Sequence, residues 1–236
     1  MTETATGRSL AELVTSAPGA ARVLERFGLD YCCGGQQRLG DACASRGVDS
    51  AAVLEALAAL APEPEPDWAS MPPDRLVDHL EATHHAFLKS ELPRLGALAE
   101  KVAGVHGRRH PELEETRATF EALRADLEPH LLKEERVLFP MIRELAAPAA
   151  LPVFHCGTLR NPISVMRVEH DRVGDLLARL RALTGGYQTP ADGCASYRAL
   201  FEGLAELEAD THLHVHKENN LLFPAVLALE SRLGRA

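Results

Sequence analysis

The chain lacks the long hydrophobic runs that membrane proteins carry. Its 236 residues contain no run of the roughly 18 uninterrupted apolar residues that a membrane-spanning helix needs. The N-terminal sequence MTETATGRSLAELV also lacks the basic flank and apolar segment of a signal peptide. Basic charge is in deficit too, since the net charge is −9, which disfavours binding to nucleic-acid phosphates. These absences predict a cytoplasmic protein with no membrane and no nucleic-acid partner.

Cysteine is scarce, and the five cysteines do not suit a disulfide framework. Cys32 and Cys33 are adjacent, so a bridge between them would close a small strained ring, and the odd number leaves one thiol over. We therefore expect free thiols in a reducing compartment. The rest of the composition, 46% hydrophobic and 25% charged, is ordinary for a globular protein.

Alternating runs of β-branched residues, typical of strands, are absent, and apolar residues recur at helical spacing instead. The proline-rich sequence APEPEPDWASMPPD, residues 61–74, predicts an extended linker. It divides the chain into a small helical domain, residues 1–65, and a larger domain, residues 66–236. Four long helices are predicted in the larger domain, at about residues 74–104, 111–147, 162–184 and 190–231. Two helical hairpins of this kind form an up-down four-helix bundle, so the predicted fold is all-α.

Local signals predict where some of these helices begin and end. Asn161 and Thr189 each precede a proline, an arrangement typical of an N-cap followed by the first helical residue. The Gly-Gly pair at residues 185–186 predicts the end of the third helix.

Two eleven-residue segments of the chain repeat each other. HLLKEERVLFP, residues 130–140, is matched by HVHKENNLLFP, residues 214–224, in a register of 84 residues. Each segment carries a histidine, a glutamate four residues later and then Leu-Phe-Pro. Agreement in register over the whole segment indicates an internal duplication, so we expect two related hairpins.

Histidine and glutamate interrupt the apolar faces of the two repeated helices. His130 and Glu134 share a helical face with leucines in the first repeat, and His214 and Glu218 do so in the second. A carboxylate in a core is costly unless it is neutralised or paired. Because each glutamate follows an imidazole by one turn, bound metal ions are the economical explanation.

The duplication also predicts an equivalent histidine on the first helix of each hairpin. His170 lies 44 residues before His214, and His85 lies 45 residues before His130. The apolar stripe alone does not distinguish His85 from its neighbour His84, and the register of the repeat favours His85. Exchange between these two histidines remains an alternative. The predicted metal ligands are His85, His130, Glu134, His170, His214 and Glu218.

Four imidazoles and two carboxylates suit iron, manganese or zinc, and the lack of core thiolates disfavours copper(I) and structural zinc. If both glutamates bridge two octahedral ions, the six side chains supply about eight of roughly twelve coordination positions. An oxo or hydroxo bridge would occupy two more, which leaves about two positions for an exogenous molecule. The pattern therefore predicts a reactive centre.

The other histidines, acids and thiols have no support from the repeat. His212 and His216 have no histidine at their repeat positions, so we predict that they flank the site. Glu135 points about 100° away from Glu134, which predicts that it faces solvent. Surface or helix-end positions are predicted for His79, His106 and His110, and core or incidental roles for Cys43 and Cys194.

These motifs resemble the H-HxxxE-H-HxxxE pattern of hemerythrin-like domains. Together with DYCCGG (residues 30–35), PISVM…EHD (162–171) and ENNLLFP (218–224), they closely resemble the repair-of-iron-centres family, YtfE- and ScdA-like di-iron proteins with a short ScdA-type N-terminal domain. The resemblance covers nearly the whole chain. It implies two non-haem iron ions, oxo- or hydroxo-bridged, on the six residues predicted above. It also implies a role in repairing iron–sulfur clusters damaged by nitric oxide or peroxide.

Two segments keep alternative interpretations. The loop of residues 147–161 looks longer than is usual in the family and carries His155 and Cys156, either as an ordinary solvent loop or as a lid over the metal. Cys32 and Cys33 precede a Gly-Gly pair and are either low-pKa redox thiols or small buried residues of a helical domain.

Three functions fit the pattern. The first is a stress-response protein whose di-iron centre reacts with nitric oxide or oxygen species, with nitric oxide reductase activity as one form, and which acts on damaged iron–sulfur proteins. The second is a hemerythrin-like protein that binds or senses oxygen or nitric oxide without catalysis. The third is an iron donor or store. A monomer and a homodimer are both compatible with the sequence.

Overall fold

The computed structural model describes residues 6–60, 68–147 and 152–234, and these ranges are almost entirely helices and short connections. The chain begins with four short helices: α1 (Leu10–Ser16), α2 (Ala20–Arg26), α3 (Leu39–Arg46) and α4 (Ser50–Ala58). No strand occurs within the described ranges, where Ser9 and Arg38 form one isolated bridge. The prediction of an all-α fold is therefore confirmed.

Four long helices follow a single 3₁₀ turn at Trp68–Ser70. Helix α5 comprises Pro73–Leu80, Glu81–His85 and Ala86–His106, and helix α6 comprises Glu112–Lys133, Glu134–Leu138 and Phe139–Ala146. Helix α7 is Arg160–Leu183, and helix α8 comprises Ala195–Lys217, Glu218–Leu222 and Phe223–Leu233. Helix α6 packs between α5 and α7, and α8 packs on α5. This is the predicted four-helix bundle.

The predicted helix starts at Asn161 and Thr189 are wrong. Helix α7 already begins at Arg160. A distant side chain stabilises this start, because the carboxylate of Glu230 accepts the backbone N–H of Leu159 at 2.9 Å. Helix α8 begins at Ala195, after a turn that the sequence pattern did not reveal. The predicted stop at residues 185–186 is confirmed, since both glycines have positive φ angles, of 58° and 74°.

The proposed linker falls mostly on residues 61–67, which lie outside the described residues, as does the boundary between residues 65 and 66. None of the helices in the described ranges combines the length and apolarity needed to cross a membrane.

Three of the long helices contain a π turn. These turns are Glu81–His85, Glu134–Leu138 and Glu218–Leu222. In both repeats the backbone N–H of the phenylalanine bonds to the glutamate carbonyl five residues earlier, and the next residue is a proline with no N–H to donate. The Leu-Phe-Pro sequence thus accommodates a wider turn at the glutamate, a feature that recurs at functional sites.

The apolar core of the bundle is in two parts. One cluster lies towards one end, around Leu95, Phe120 and Leu204. The other surrounds Leu80, Ile142 and Phe223. The predicted metal ligands occupy the helical positions between these clusters, so a polar layer crosses the bundle.

The N-terminal module, residues 6–60, packs on helix α8 through its own apolar cluster, which includes Val215 of that helix. The side-chain amide of Asn220 donates to the backbone oxygens of Tyr31 (3.3 Å) and Cys32 (3.0 Å). Gly35 fits this contact because a Cβ there would lie 2.9 Å from the Asn220 amide and 2.5 Å from the Tyr31 oxygen. The module is thus held against the turn that carries Glu218.

Candidate metal centre

The six side chains predicted as ligands come together in the polar layer. All are buried, with at most 2% of each residue exposed. They form two groups whose nitrogen and oxygen atoms lie within 4.8 Å of one another, and both groups contain Glu134 and Glu218. One group adds His85 and His214, and the other adds His130 and His170. Each group therefore combines two imidazoles with the same two carboxylates.

Each glutamate directs one oxygen towards each group. Oε2 of Glu134 lies 3.4 Å from Nε2 of His85, while its Oε1 lies 3.3 Å from Nε2 of His130. Glu218 repeats the arrangement, with Oε1 3.4 Å from Nε2 of His214 and Oε2 3.1 Å from Nε2 of His170. A carboxylate whose two oxygens face two different imidazole groups has the disposition of a bridging ligand.

Neighbouring side chains fix the orientation of three of the four imidazoles. Nδ1 of His85 lies 2.8 Å from Glu135, and Nδ1 of His130 lies 2.8 Å from Glu169. Nδ1 of His170 lies 3.1 Å from the side-chain oxygen of Asn219. Because each partner accepts, Nδ1 carries the proton in every case, and Nε2 presents its lone pair to the layer. Metal-binding histidines are oriented in this way by carboxylates and carbonyls.

The inward nitrogens have no adequate partner in the part of the chain that the structure describes. Nε2 of His130 and Nε2 of His170 face each other at 3.2 Å. With both Nδ1 atoms protonated, two lone pairs would oppose each other there unless a proton or a cation lies between them. Nε2 of His85 and of His214, and all four carboxylate oxygens of the layer, have no hydrogen-bond partner among the described residues. Such atoms are normally satisfied, and metal ions would satisfy all of them at once.

The electrostatics of the layer also call for positive charge. Burial alone would lower the pKa of His130, but attraction to Glu134 and Glu218 and the hydrogen bond to Glu169 raise it to about 9. Burial opposes the ionisation of Glu218 as well, yet attraction to His214 and His170 holds its pKa well below the usual range. Without ions, two buried carboxylates would depend on protonated imidazoles alone.

The structure separates His84 from His85. His85 faces the carboxylates of the layer, whereas His84 is stacked on His214 with ring centroids 5.3 Å apart. Both ring nitrogens of His84 are occupied, Nδ1 by Asp210 at 2.8 Å and Nε2 by the ammonium of Lys217 at 2.8 Å. Burial, reinforced by the nearby positive groups, lowers the pKa of His84, so its ring is neutral. The geometry therefore favours His85 as the ligand.

One of the two expectations about flanking residues needs correction, the one for Glu135. Glu135 does not face solvent. Its rotation of about 100° on α6 turns it towards α5, where it accepts hydrogen bonds from His85 and from Lys89. His212 and His216 do flank the layer, but they contact the N-terminal module, with their rings against Tyr31. His216 is fully buried there, and burial lowers its pKa to about 4.

The other three histidines occupy the predicted surface or helix-end positions only in part. His79 is half-buried and its Nε2 lies 2.9 Å from the Lys217 ammonium. His106 is the last residue of α5, as predicted for a helix end, but it is buried and 3.2 Å from the Cys194 thiol. His110 lies just before α6 and contacts Asp192 at 3.0 Å.

The structure shows the positions of Cys43 and of the loop that carries His155 and Cys156. Cys43 is buried in the N-terminal module, as expected. Cys156 is half-buried with its sulfur 3.6 Å from the Thr158 oxygen, and His155 is exposed. Residues 148–151 of that loop lie outside the described residues, so its interpretation as a lid stays a prediction. All five cysteines are free.

Cys32 differs from the low-pKa thiolate that the sequence suggested. The Asp30 carboxylate accepts the backbone N–H groups of Cys32, Cys33 and Gly34, so they are not available to a thiolate. The contact with Cys33, burial and the charge of Asp30 raise the pKa of Cys32 well above its usual value. A redox role for Cys32 and Cys33 stays a prediction, and at Cys32 it would start from a protonated thiol.

Comparison with known proteins agrees with this geometry. Residues 75–226 match the hemerythrin HHE cation binding domain, and residues 6–61 match ScdA_N, a domain of unknown function (DUF542). The chain is 36% identical over 222 residues to the iron-sulfur cluster repair protein YtfE of Escherichia coli O157:H7, which covers 94% of this chain and 97% of that protein. The YtfE proteins of Escherichia coli O81 (strain ED1a) and Shigella boydii serotype 4 (strain Sb227) match to the same extent.

The chain belongs to the YtfE family. The family assignment accounts for the order of the domains, a ScdA_N module followed by a hemerythrin-type cation-binding bundle. Sequence reasoning reached this family and the converging residues. It did not identify the orienting partners Glu135, Glu169 and Asn219, although all three directly follow or precede a predicted ligand.

Proposed function

We propose that this YtfE-family chain holds two iron ions in the polar layer and uses them in the repair of iron–sulfur clusters. The ligands are the six predicted residues: His85, His130, Glu134, His170, His214 and Glu218. The observation that carries the proposal is the division of each glutamate's oxygens between the two imidazole groups. Glu134 and Glu218 would each offer one oxygen to each imidazole group, so that His85 with His214 would hold one ion and His130 with His170 the other.

The donor set supports iron. Imidazole nitrogen and carboxylate oxygen suit iron, manganese and zinc, and no cysteine among the described residues approaches the layer. Two carboxylates and four neutral imidazoles compensate only part of the positive charge of two divalent ions. An oxo or hydroxo bridge would compensate more of it. Glu135 and Glu169 add negative charge just outside the ligands, which makes His85 and His130 better donors.

The protein contributes orientation and a dry surrounding to this centre. Phe139 stacks against the His85 ring at 5.3 Å, and Phe223 lies parallel to the His170 ring at 6.0 Å. These rings and the fixed Nδ1 partners hold the four imidazoles in place. When bound, a di-iron centre with open positions supplies redox chemistry towards molecules such as nitric oxide or oxygen.

The relatives named iron-sulfur cluster repair proteins support the wider role. On this proposal the partners are damaged iron–sulfur proteins, and the compartment is a reducing cytoplasm, in keeping with five free thiols. We also propose the domain division at residues 65 and 66, with the N-terminal module serving the bundle behind it.

Metal analysis of the purified full chain, combined with Mössbauer spectroscopy, tests the centre. We expect two irons per chain in one magnetically coupled site. Glu134→Gln, which removes one carboxylate charge from the layer, should lower the iron content. The matched control, Glu144→Gln on the same helix, should leave it unchanged. One iron per chain, uncoupled irons or a different stoichiometric metal would contradict the proposal.

Anaerobic titration of the reduced protein with nitric oxide tests the reactivity. Spectral change with release of nitrous oxide supports redox chemistry, whereas reversible binding without product supports the carrier or sensor alternative. Repair is tested by restoring activity to a nitric oxide-damaged iron–sulfur enzyme. Comparison with a Cys32→Ala, Cys33→Ala variant measures whether the thiols of the N-terminal module take part in iron transfer.

A further inference from the structure

Cys194 lies at the end of the bundle remote from the polar layer. It is the N-cap residue of the long helix α8 and is exposed. His214 follows it by 20 residues on the same helix, so the two are separated by roughly 30 Å along the axis. Any chemistry at this thiol is therefore distinct from that of the candidate metal centre.

A buried imidazole is aimed at the Cys194 sulfur. His106 is 7% exposed, and its Nε2 lies 3.2 Å from Sγ of Cys194. Its other nitrogen, Nδ1, is buried and has no hydrogen-bond partner among the described residues. The Tyr197 ring meets the imidazole edge-on with centroids 5.4 Å apart and holds it in place. The thiol is thus the polar group that the structure provides for this histidine.

The unpartnered Nδ1 of His106 indicates which of the two ring nitrogens carries the proton. A buried N–H without an acceptor is costlier than a lone pair without a donor. The neutral imidazole is therefore best placed with the proton on Nε2, donating to sulfur, and with the lone pair on the unmatched Nδ1. A donor at this position stabilises the thiolate form of Cys194.

The start of helix α8 adds the dipoles of two backbone N–H groups, although neither makes a capping hydrogen bond to the sulfur. The backbone N–H of Tyr197, the imidazole of His106 and the backbone N–H of Ser196 together lower the pKa of the Cys194 thiol to about 7. Helix N-termini favour anions in the same sense. Four other charged groups at this end contact one another, since His110 and Arg109 both contact Asp192, at 3.0 and 3.3 Å, and Glu112 lies 3.1 Å from His110.

We propose that Cys194 and His106 form a thiol–disulfide exchange site for small-molecule disulfides. The Cys194 thiolate attacks one sulfur of the disulfide, the new Sγ–S bond forms as the S–S bond breaks, and the departing thiolate takes a proton from water. The protein thiol is oxidised to a mixed disulfide, and the other half of the small molecule is reduced to a thiol.

The test treats the full-length protein with glutathione disulfide and locates the adduct by peptide mass mapping. Cys156 is the internal reference, because it is a half-buried thiol on a different part of the surface. We expect Cys194 to be modified roughly sixfold faster than an ordinary thiol at pH 6, after allowing for the weaker nucleophilicity of a more acidic thiol. Equal modification of the two cysteines, or preferential modification of Cys156, would overturn the proposal.

Three variants and a pH profile separate this role from simple exposure. Cys194→Ser should abolish the fast adduct, while Cys156→Ser should leave it intact. His106→Asn should slow the reaction at pH 6 and move its midpoint upwards towards that of an ordinary thiol. If this variant does not fold, the wild-type profile decides: a midpoint near pH 7 supports the site, and a midpoint of about 8.5 or above contradicts it.

Discussion

In the first half of the bundle, Lys133 and His130 of helix α6 are joined through Glu169, which helix α7 of the second half contributes. At the related positions, Lys217 and His214 of helix α8 are joined through His84, which helix α5 of the first half contributes. In each case a lysine contacts the side chain that in turn supports a predicted ligand. The lysines and the ligands agree in type, and the residue between them is a carboxylate in one case and an imidazole in the other.

Burial explains why the two arrangements differ. The side chains of Lys133 and Glu169 are 47% and 27% exposed, so their ion pair is solvated and costs little to form. Lys217 and His84 are only 2% and 3% exposed as residues. The ammonium of Lys217 lies 3.9 Å from the centre of the Trp68 ring, which adds a cation–π contact. The second half has thus enclosed the position that the first half leaves open to water.

The comparison shows where the two imidazole groups agree and where they differ. Each group contains one histidine supported by a carboxylate, His85 by Glu135 and His130 by Glu169, which strengthens it as a donor. The second histidine of each group differs, since His170 contacts the neutral side chain of Asn219 and His214 is stacked on the neutral ring of His84. The difference between the two groups therefore lies in one histidine of each pair.

Removing Glu134 or Glu218, which belong to both imidazole groups, should have the largest effect on iron content. We expect Glu134→Ala, Glu218→Ala and the double variant to lose the coupled iron pair, because each carboxylate serves both imidazole groups. Iron per chain and the absorption of the bridged centre measure this. Glu144→Ala on the same helix is the matched control. A single variant that kept two coupled irons would show that its glutamate does not bridge.

The two lysines should differ sharply in their effect on stability. Lys217→Met removes a buried charge that supports two histidines, and we expect it to lower the free energy of unfolding by about 3 kcal/mol. Lys133→Met, at the repeat position, should cost less than about 1 kcal/mol because its ion pair is exposed. Urea denaturation of the iron-free proteins measures both. Equal losses would mean that burial does not distinguish the two halves.

The part of the site that could be predicted is the part that the duplication copied. His130, Glu134, His214 and Glu218 stand in the repeated segments, and the upstream histidines follow from the same register. The supporting residues were not predictable in this way, because Glu135 and Glu169 are replaced by Asn219 and His84 at the related positions. A pattern that depends on likeness between halves cannot detect positions where the halves diverge.

The fold was predictable to a similar depth. Apolar periodicity predicted the four long helices, and the Gly-Gly pair at residues 185–186 predicted the end of the third. The starts of α7 and α8 did not, because a distant carboxylate, Glu230, caps the first, and a short turn precedes the second. Contacts between residues far apart in sequence decide such boundaries, and neither propensity nor capping residues report on them.

Glu135 and Asn219 occupy related positions, and exchanging their types sharpens the contrast between halves. Glu135→Asn should weaken iron binding roughly tenfold, because a neutral partner makes His85 a poorer donor. Asn219→Asp should strengthen binding through His170 by a smaller factor, since it adds charge beside an already complete set of ligands. Competition with an iron chelator measures both changes. Opposite signs are the essential expectation, and changes of the same sign would refute it.

The smallest effect is expected one residue further along, at Asn220. Its amide bonds the N-terminal module and makes no contact with a predicted ligand, so Asn220→Ala should leave iron content unchanged. Loss of three hydrogen bonds to the module, one of them exposed, should weaken docking of the module by about 1 kcal/mol. Amide hydrogen exchange in residues 6–60 measures this, with Asn219→Ala as the control that should disturb iron and spare the module. If Asn220→Ala released iron instead, docking of the module and iron binding would be coupled. The separate roles of Asn219 and Asn220 proposed here would then be wrong.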